Sequence, residues 1–223
     1  GIYNATRVTY GTPQTYVTPV SVRKLLGING SRTDSVTGQT LSEGDQFRGL
    51  LLKNDNMDGR GGVAITFATD LQPGNGLWAT DVCSDRLSGI PAQLVGDFLG
   101  DNEAQLNLTL DGGSIMRNCD SDSLTTWSIA SNSSASTAAF SVLQAGVNTW
   151  GDAPANTSFF GQAVARPTWR VTIPGGGDAP ADSDIDLTHV DDIMLRFTHT
   201  ALPRRSGALS VDASCLAQIG GGQ

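Results

Sequence analysis

Lysine and glutamate are almost missing from this 223-residue chain: Lys24 and Lys53 are its only lysines, Glu43 and Glu103 its only glutamates. The long charged side chains that best sustain exposed helix are therefore scarce, which excludes a helical bundle or a coiled coil. Basic charge is thin as well, with 14 Lys and Arg against 22 Asp and Glu and a net charge of -8. The arginines stand singly apart from Arg204-Arg205, so no basic stripe follows a phosphate backbone and no nucleic-acid partner is expected. No apolar run approaches the ~18 residues of a membrane-spanning helix. Histidine is limited to His189 and His199. Cys83, Cys119 and Cys215 form no Cys-x-x-Cys and lie near no His pair, which excludes the usual zinc spacings.

What fills the chain is Gly, Thr, Ser, Val and Asp, the composition of strands joined by many turns. The most legible stretch is Arg166 to Thr200. Trp169, Val171 and Ile173 alternate with Thr168, Arg170 and Thr172, and Ile193, Leu195 and Phe197 alternate with Met194, Arg196 and Thr198, the period of half-buried strands. Between them Pro174, Gly175-Gly176-Gly177 and Asp178, Asp182, Asp184 and Asp186 form an exposed acidic link. That link opens no helix, so the glycines make a poor phosphate cradle.

The expected fold is all-β: an antiparallel β-sandwich, jelly-roll-like, with long loops. Its core is expected from Val63, Ile65, Phe67, Leu106, Leu108, Leu110, Phe140, Val142, Trp169, Val171, Ile173, Ile193, Leu195 and Phe197. A seam before Asp85 divides residues 1–84, an N-terminal β segment or arm packed on the main domain, from residues 85–223, the sandwich itself. In order, Ser21 to Leu26 predicts one helical turn, Asn29 to Asp45 a loop, and Phe47–Leu52 and Val63–Phe67 a pair of strands. Leu87 to Gly96 with Leu106 to Leu110 reads as a hairpin ending at Asp111-Gly112-Gly113. Ile115 and Met116, with Trp127 and Ile129, continue as short strands.

Several residues are candidates for binding or chemistry. Asn54, Asn56 and Asp58 occupy positions one, three and five of a calcium loop, with Gly59 at the sharp turn. The twelfth position is Ile65, where a calcium loop of that type has a bidentate Glu, and Asx turns in a plain loop explain the same residues. Trp78, Trp127 and Trp150 are candidate platforms for stacking a sugar ring, Trp150 foremost because Asn148-Thr149 and Gly151-Asp152 around it form turns. His189 has Asp191 and Asp192 close by, a base with an orienting carboxylate, yet no Gly-x-Ser-x-Gly elbow accompanies it. In an exported chain, Cys83 would pair with Cys119 across a hairpin region and leave Cys215; three buried thiols are the alternative. The run Ile2 to Val20, with Val8, Tyr10, Tyr16 and Val17 and no partner strand nearby in sequence, is either an arm for a neighbour's sheet or a strand docked on its own sandwich.

The blocks Arg86-Leu87-Ser88-Gly89-Ile90-Pro91-Ala92-Gln93-Leu94-Val95-Gly96, Leu106-Asn107-Leu108-Thr109-Leu110, Phe160-Gly161-Gln162-Ala163, Trp169-Arg170-Val171-Thr172-Ile173-Pro174 and Asp192-Ile193-Met194-Leu195-Arg196-Phe197-Thr198-His199-Thr200-Ala201 resemble, in the same order, the C-terminal β-sandwich region of the A component of bacterial Tc insecticidal toxin complexes. The resemblance spans Asp85 to Leu202. The chain lacks that family's large helical shell and pore-forming hairpin, so pore formation does not carry over. What the resemblance implies is a non-catalytic structural or interaction module, extracellular or at a cell surface, in a self-assembling or toxin-like complex. A carbohydrate-binding module and a hydrolase of unknown class are the alternatives, with calcium as the one cofactor the motifs suggest.

Overall fold

The computed structural model describes residues 11–57, 61–69, 77–96, 106–111, 113–120, 123–127, 138–139, 159–175 and 186–204. In chain order its elements are β1 (Gln14–Ser21), α1 (Val22–Leu25), β2 (Arg32–Thr33), β3 (Thr40–Leu41), α2 (Glu43–Leu51), β4 (Val63–Thr69), β5 (Val82–Gly89), β6 (Ala92–Gly96), β7 (Leu106–Asp111), β8 (Ser114–Arg117), β9 (Leu124–Trp127), β10 (Ala138–Ala139), β11 (Arg166–Ile173) and β12 (Val190–Pro203). Short 3-10 turns lie at Asn54–Asn56 and Leu187–His189. Among the described residues no helix is long and apolar enough to cross a membrane.

The two strands that alternate most strictly in sequence become the centres of two antiparallel sheets. β12 takes β1 along one edge and, on the other, β5 and β6 laid end to end: Thr198 to Pro203 pair with β5, and Val190 to Leu195 with β6. Only Ile90 and Pro91 separate those two partners. Proline has no N–H to give, but its carbonyl accepts from Arg196 N at 2.9 Å and carries the ladder across the break. β11 lies between β7 and β4, with β10 beyond β7. The expected antiparallel sandwich is the fold.

The inward faces meet at Trp169. Its ring packs edge-on against Phe197 of the opposite sheet at 5.6 Å and 79°, and against Phe159 at 5.6 Å and 71°. Phe67 stacks beside it on β4 at 6.4 Å. Edge-to-face contact sets the electropositive ring edge on the negative π face, which favours these angles. All of the expected core residues that are described are buried in one cluster: Val63, Ile65, Phe67, Leu106, Leu108, Leu110, Trp169, Val171, Ile173, Ile193, Leu195 and Phe197. Phe140 and Val142 lie outside the described residues. Val20, Val22, Phe47 and Leu51 join the same cluster from before residue 85.

A buried indole keeps its N–H, and both inward tryptophans find an acceptor on Thr69 at the end of β4. Trp169 Nε1 donates to Thr69 Oγ1 at 2.7 Å, and Trp78 Nε1 donates to Thr69 O at 3.2 Å. The hydroxyl in turn donates to Val164 O at 3.1 Å. Thr69 therefore closes the polar accounts of a large apolar core.

Three local expectations are corrected. Phe47–Leu52 is not a strand, because Ser42 begins a helix: its hydroxyl accepts from Asp45 N at 3.1 Å while the Asp45 carboxylate accepts from Ser42 N at 2.9 Å. This reciprocal cap, with Phe47 and Leu51 four apart on the buried face, outweighs the short apolar run. The stretch Asn29 to Asp45 is not all loop, since β2 and β3 pair within it. Leu87–Gly96 and Leu106–Leu110 do not form a hairpin; they belong to different sheets. Ser21–Leu26 does make the expected turn of helix, with Ser21 Oγ accepting from Lys24 N at 3.1 Å. β8 and β9 pair as a hairpin of their own.

Thr69→Val keeps the shape of the side chain and removes the acceptor of the Trp169 N–H. Urea unfolding is expected to show a loss of about 1–3 kcal/mol. An unchanged midpoint would mean that the indole finds another partner.

Candidate functional site

The histidine that meets a carboxylate and a hydroxyl is His199, not His189. Three neighbouring strands each supply one group: Asp85 from β5, His199 from β12 and Thr18 from β1. Asp85 Oδ1 lies 2.6 Å from His199 Nδ1, and His199 Nε2 lies 3.0 Å from Thr18 Oγ1. Tyr16, directly opposite His199 in the β1–β12 ladder, stacks on the imidazole at 5.5 Å and 22°. Trp78 meets it edge-on at 5.3 Å. The imidazole is held on both flanks and at both nitrogens.

Backbone geometry explains how Asp85 reaches it. Cys83 pairs with Leu202 and Arg86 with Thr200, so Ser84 and Asp85 together face the single residue Ala201. Such a bulge bends its strand and redirects a side chain. Ser84 takes up the extra residue with φ of 49°, in the left-handed region.

Carboxylate, imidazole and hydroxyl in that order are the components of a hydrolytic triad. Their setting differs from one. The group lies on the inward face of a sheet, His199 being 3% exposed and Asp85 8%, and Thr18 sits within a ladder and not at a turn. What this arrangement does chemically is tie three strands together through a polar chain that runs from buried Asp85 and His199 to half-buried Thr18.

His189 is turned away from both aspartates beside it in sequence and faces Asp186, Nδ1 to Oδ2, at 3.5 Å. Asp191 and Asp192 fasten the two helices to the start of β12 instead. Asp191 Oδ1 pairs with Arg48 Nη1 at 2.5 Å, and Arg48 Nη2 reaches Asp45 Oδ1 at 2.6 Å. A Cβ on Gly44 would overlap the Asp191 carboxylate, so the helix can approach this closely only with glycine there. Asp192 accepts from Ser21 Oγ at 2.5 Å, from Arg23 N at 3.0 Å and from Ile193 N at 2.7 Å.

Asp192 and Asp45 are shifted in opposite directions. Burial pushes Asp192 above its ordinary value despite the three donors. Its contribution to stability is full below the unfolded value and is lost as pH rises through the folded one. The hydrogen bond from Ser42, followed by that from Arg48, lowers Asp45 to about 2. Its contribution is present above the unfolded value and is lost as pH falls through the folded one.

The other sequence candidates are dispersed. Asn54 and Asn56 lie in the 3-10 turn after α2, where the Asn56 amide donates to Leu50 O at 2.7 Å; Asp58 lies outside the described residues. Among the described residues no group of three or more His, Cys, Asp and Glu is placed to hold a metal ion. Trp78 is buried with its N–H bonded, so it is no sugar platform. Trp127 ends β9, and Trp150 lies outside the described residues. Cys83 and Cys119 form the disulfide, 36 residues apart, joining β5 to the chain just beyond β8. A loop of that length contributes about 4 kcal/mol on the chain-entropy model. Cys215 lies outside the described residues. Sequence reasoning missed Asp85 and Thr18, whose only signal is a polar residue at a core-facing strand position.

The class is thus an antiparallel β-sandwich with a polar chain buried in its inner face. In fold the chain is similar to part of Morganella morganii TcdA4, seen by cryo-EM, with a TM-score of 0.50, 14% identity, and coverage of 90% of this chain and 8% of that one. Yersinia pseudotuberculosis TcaA-TcaB gives a TM-score of 0.46 at 14% identity over 90% of this chain and 10% of that one, too distant to argue from. TcdA4 is a Tc toxin A component, and the likeness to it, one of fold alone, accords with the resemblance read from Asp85 to Leu202. The chain spans a small part of the length of both neighbours. No protein-family model matches the sequence, and no curated protein matches it.

Breaking the polar chain from either end is expected to destabilise the fold unequally. Asp85→Ala leaves a buried imidazole N unpaired and is expected to cost about 2 kcal/mol, whereas Thr18→Val, at the half-buried end, costs about 1 kcal/mol. Equal urea midpoints for both variants and the parent would show that the chain of bonds holds nothing.

Proposed function

We propose that this sandwich is a non-catalytic structural and interaction module of a toxin-complex-like assembly, acting outside the cell or at its surface. The observation that carries the reading is the fold likeness of 90% of the chain to a segment amounting to 8% of TcdA4: a module of that size serves within something larger. The Cys83–Cys119 disulfide adds support for an exported protein, since such bonds persist in oxidising compartments. The burial of His199 and Asp85 supports the non-catalytic part, because a general base acts only where a reacting group can reach it.

Self-association is part of the proposal. β1 pairs with β12 of its own chain on one side. Among the described residues no strand takes its other edge. Proline is tolerated in a paired strand where its nitrogen faces away from the partner, so Pro19 removes a donor from that outer edge and leaves Gln14 to Thr18 as the stretch able to accept another strand. Of the run Ile2 to Val20, the part from Gln14 on is docked on the chain's own β12, so the arm proposed to reach a neighbour is limited to residues 1–13, of which 1–10 lie outside the described residues.

Sedimentation of the intact chain at micromolar concentration is expected to show species larger than the 23.3 kDa monomer, and removal of residues 1–13, which spares β1, is expected to return the monomer. An intact chain that is monomeric throughout, or an oligomer that survives the deletion unchanged, would overturn the self-association.

A further inference from the structure

Between α1 and the β2–β3 hairpin the backbone leaves regular structure. Ile28 N still donates to Arg23 O at 3.2 Å, closing the last turn of α1, and the ladder resumes at Arg32, paired with Leu41. Asn29, Gly30 and Ser31 lie between, all exposed. Neither the Asn29 amide nor the N–H of Gly30 is engaged in a hydrogen bond among the described residues. Asparagine followed by glycine is the pair in which the backbone attacks the side-chain amide most readily, because no Cβ stands beside the attacking nitrogen. The space around Gly30 is open as well: an added Cβ would meet nothing within 4 Å.

The carbonyl of the same glycine carries a structural contact. Gln46 Nε2 donates to Gly30 O at 2.7 Å, and it also lies 3.4 Å from Leu41 O and 3.3 Å from Ser42 O. One side chain of α2 thus holds the base of the hairpin on both sides. β2 and β3 are two residues each, and so short a two-stranded ribbon is not stable without support. Its turn is closed by Asp34 N to Gln39 O at 2.8 Å and by Gly38 N to Asp34 O at 2.9 Å.

We propose that Asn29 is a site of spontaneous deamidation, and that its isoaspartyl product releases Gly30 O from Gln46 and frees the β2–β3 hairpin from α2. The Gly30 nitrogen, having given its proton to hydroxide, attacks Asn29 Cγ. A C–N bond forms there, the side-chain nitrogen leaves as ammonia, and the product is a succinimide. Water then opens the ring at either carbonyl. One opening gives aspartate; the other gives isoaspartate, in which the backbone runs through the former side-chain carbonyl and is longer by a methylene. Either way asparagine and water have become acid and ammonia. The added methylene moves Gly30 along the chain and takes its carbonyl out of hydrogen-bond reach of Gln46. Only water is consumed and no second copy takes part, so the proposal stands apart from self-association.

In the test the full chain is held in mildly alkaline buffer, which supplies the hydroxide, and samples taken from time zero onward are digested with trypsin. Lys24 and Arg32 bound the peptide 25–32, in which Asn29 is the only asparagine, while Asn75-Gly76, the chain's second Asn-Gly pair, falls in a different peptide. Mass spectrometry is expected to show peptide 25–32 gaining about one dalton with time, isoaspartate being told from aspartate by electron-transfer fragmentation. Gly30→Ala sets a Cβ beside the attacking nitrogen, keeps the carbonyl for Gln46 and has room for its methyl. That variant is expected to slow the gain about tenfold. Amide hydrogen exchange at Asp34 and Gly38 is expected to be about tenfold faster in the aged parent than in the fresh one, and unchanged in Gly30→Ala aged alongside it. A peptide 25–32 that stays intact, a variant that deamidates as fast as the parent, or an aged parent whose hairpin exchanges like the fresh one would overturn the proposal.

Discussion

The contact between Trp169 and Phe197 is the constraint on which the rest of this protein depends. Each residue lies on the central strand of its sheet, β11 and β12, and their edge-to-face packing at 5.6 Å joins the two layers. A sheet with one apolar face is stable only when that face is covered. β12 then recruits β1, β5 and β6, and β11 recruits β7 and β4. Placing a tryptophan at the centre imposes a polar requirement on an apolar core, and the Thr69 hydroxyl meets it. The same sheet face continues through Trp78 to His199, where Asp85 and Thr18 take up the imidazole nitrogens.

The core was legible because a period of two is a local property. Trp169, Val171 and Ile173, and Ile193, Leu195 and Phe197, announce which face is buried whatever strand lies beside them. Strand partners were not legible, because pairing is decided by long-range packing: Leu94 and Leu106 are near in sequence yet sit in different sheets. Helix α2 was legible and was missed. Ser42-Glu43-Gly44-Asp45 carries a capping signal, but the run Phe47–Leu52 satisfies a strand as well as a helix, and the cap decides.

The polar chain shows the reverse limit. Thr18 and His199 are 181 residues apart, and Asp85 and His199 are 114 apart, so no spacing rule connects them. Their sequence signal is weak because Asp85 reaches His199 through a bulge that no alternation predicts. His189, with Asp191 and Asp192 as neighbours, looked better and proved to be separate from them, those aspartates being committed to Arg48, Ser21 and Arg23. Proximity in sequence is poor evidence for a catalytic set, and a triad-like order of groups acquires its meaning from what surrounds it. Here His199 and Asp85 are buried on the inner face of a sheet and Thr18 is half-buried within a ladder.

A double-mutant cycle between Trp169→Leu and Phe197→Leu, followed by urea unfolding with both fluorescence and circular dichroism, tests the central contact most directly. If this pair joins the layers, the two substitutions couple by about 0.5–1.5 kcal/mol, and the parent unfolds in one transition that both probes report alike. Additive effects with no coupling, or two sheets that melt at separate urea concentrations in the parent, would contradict it.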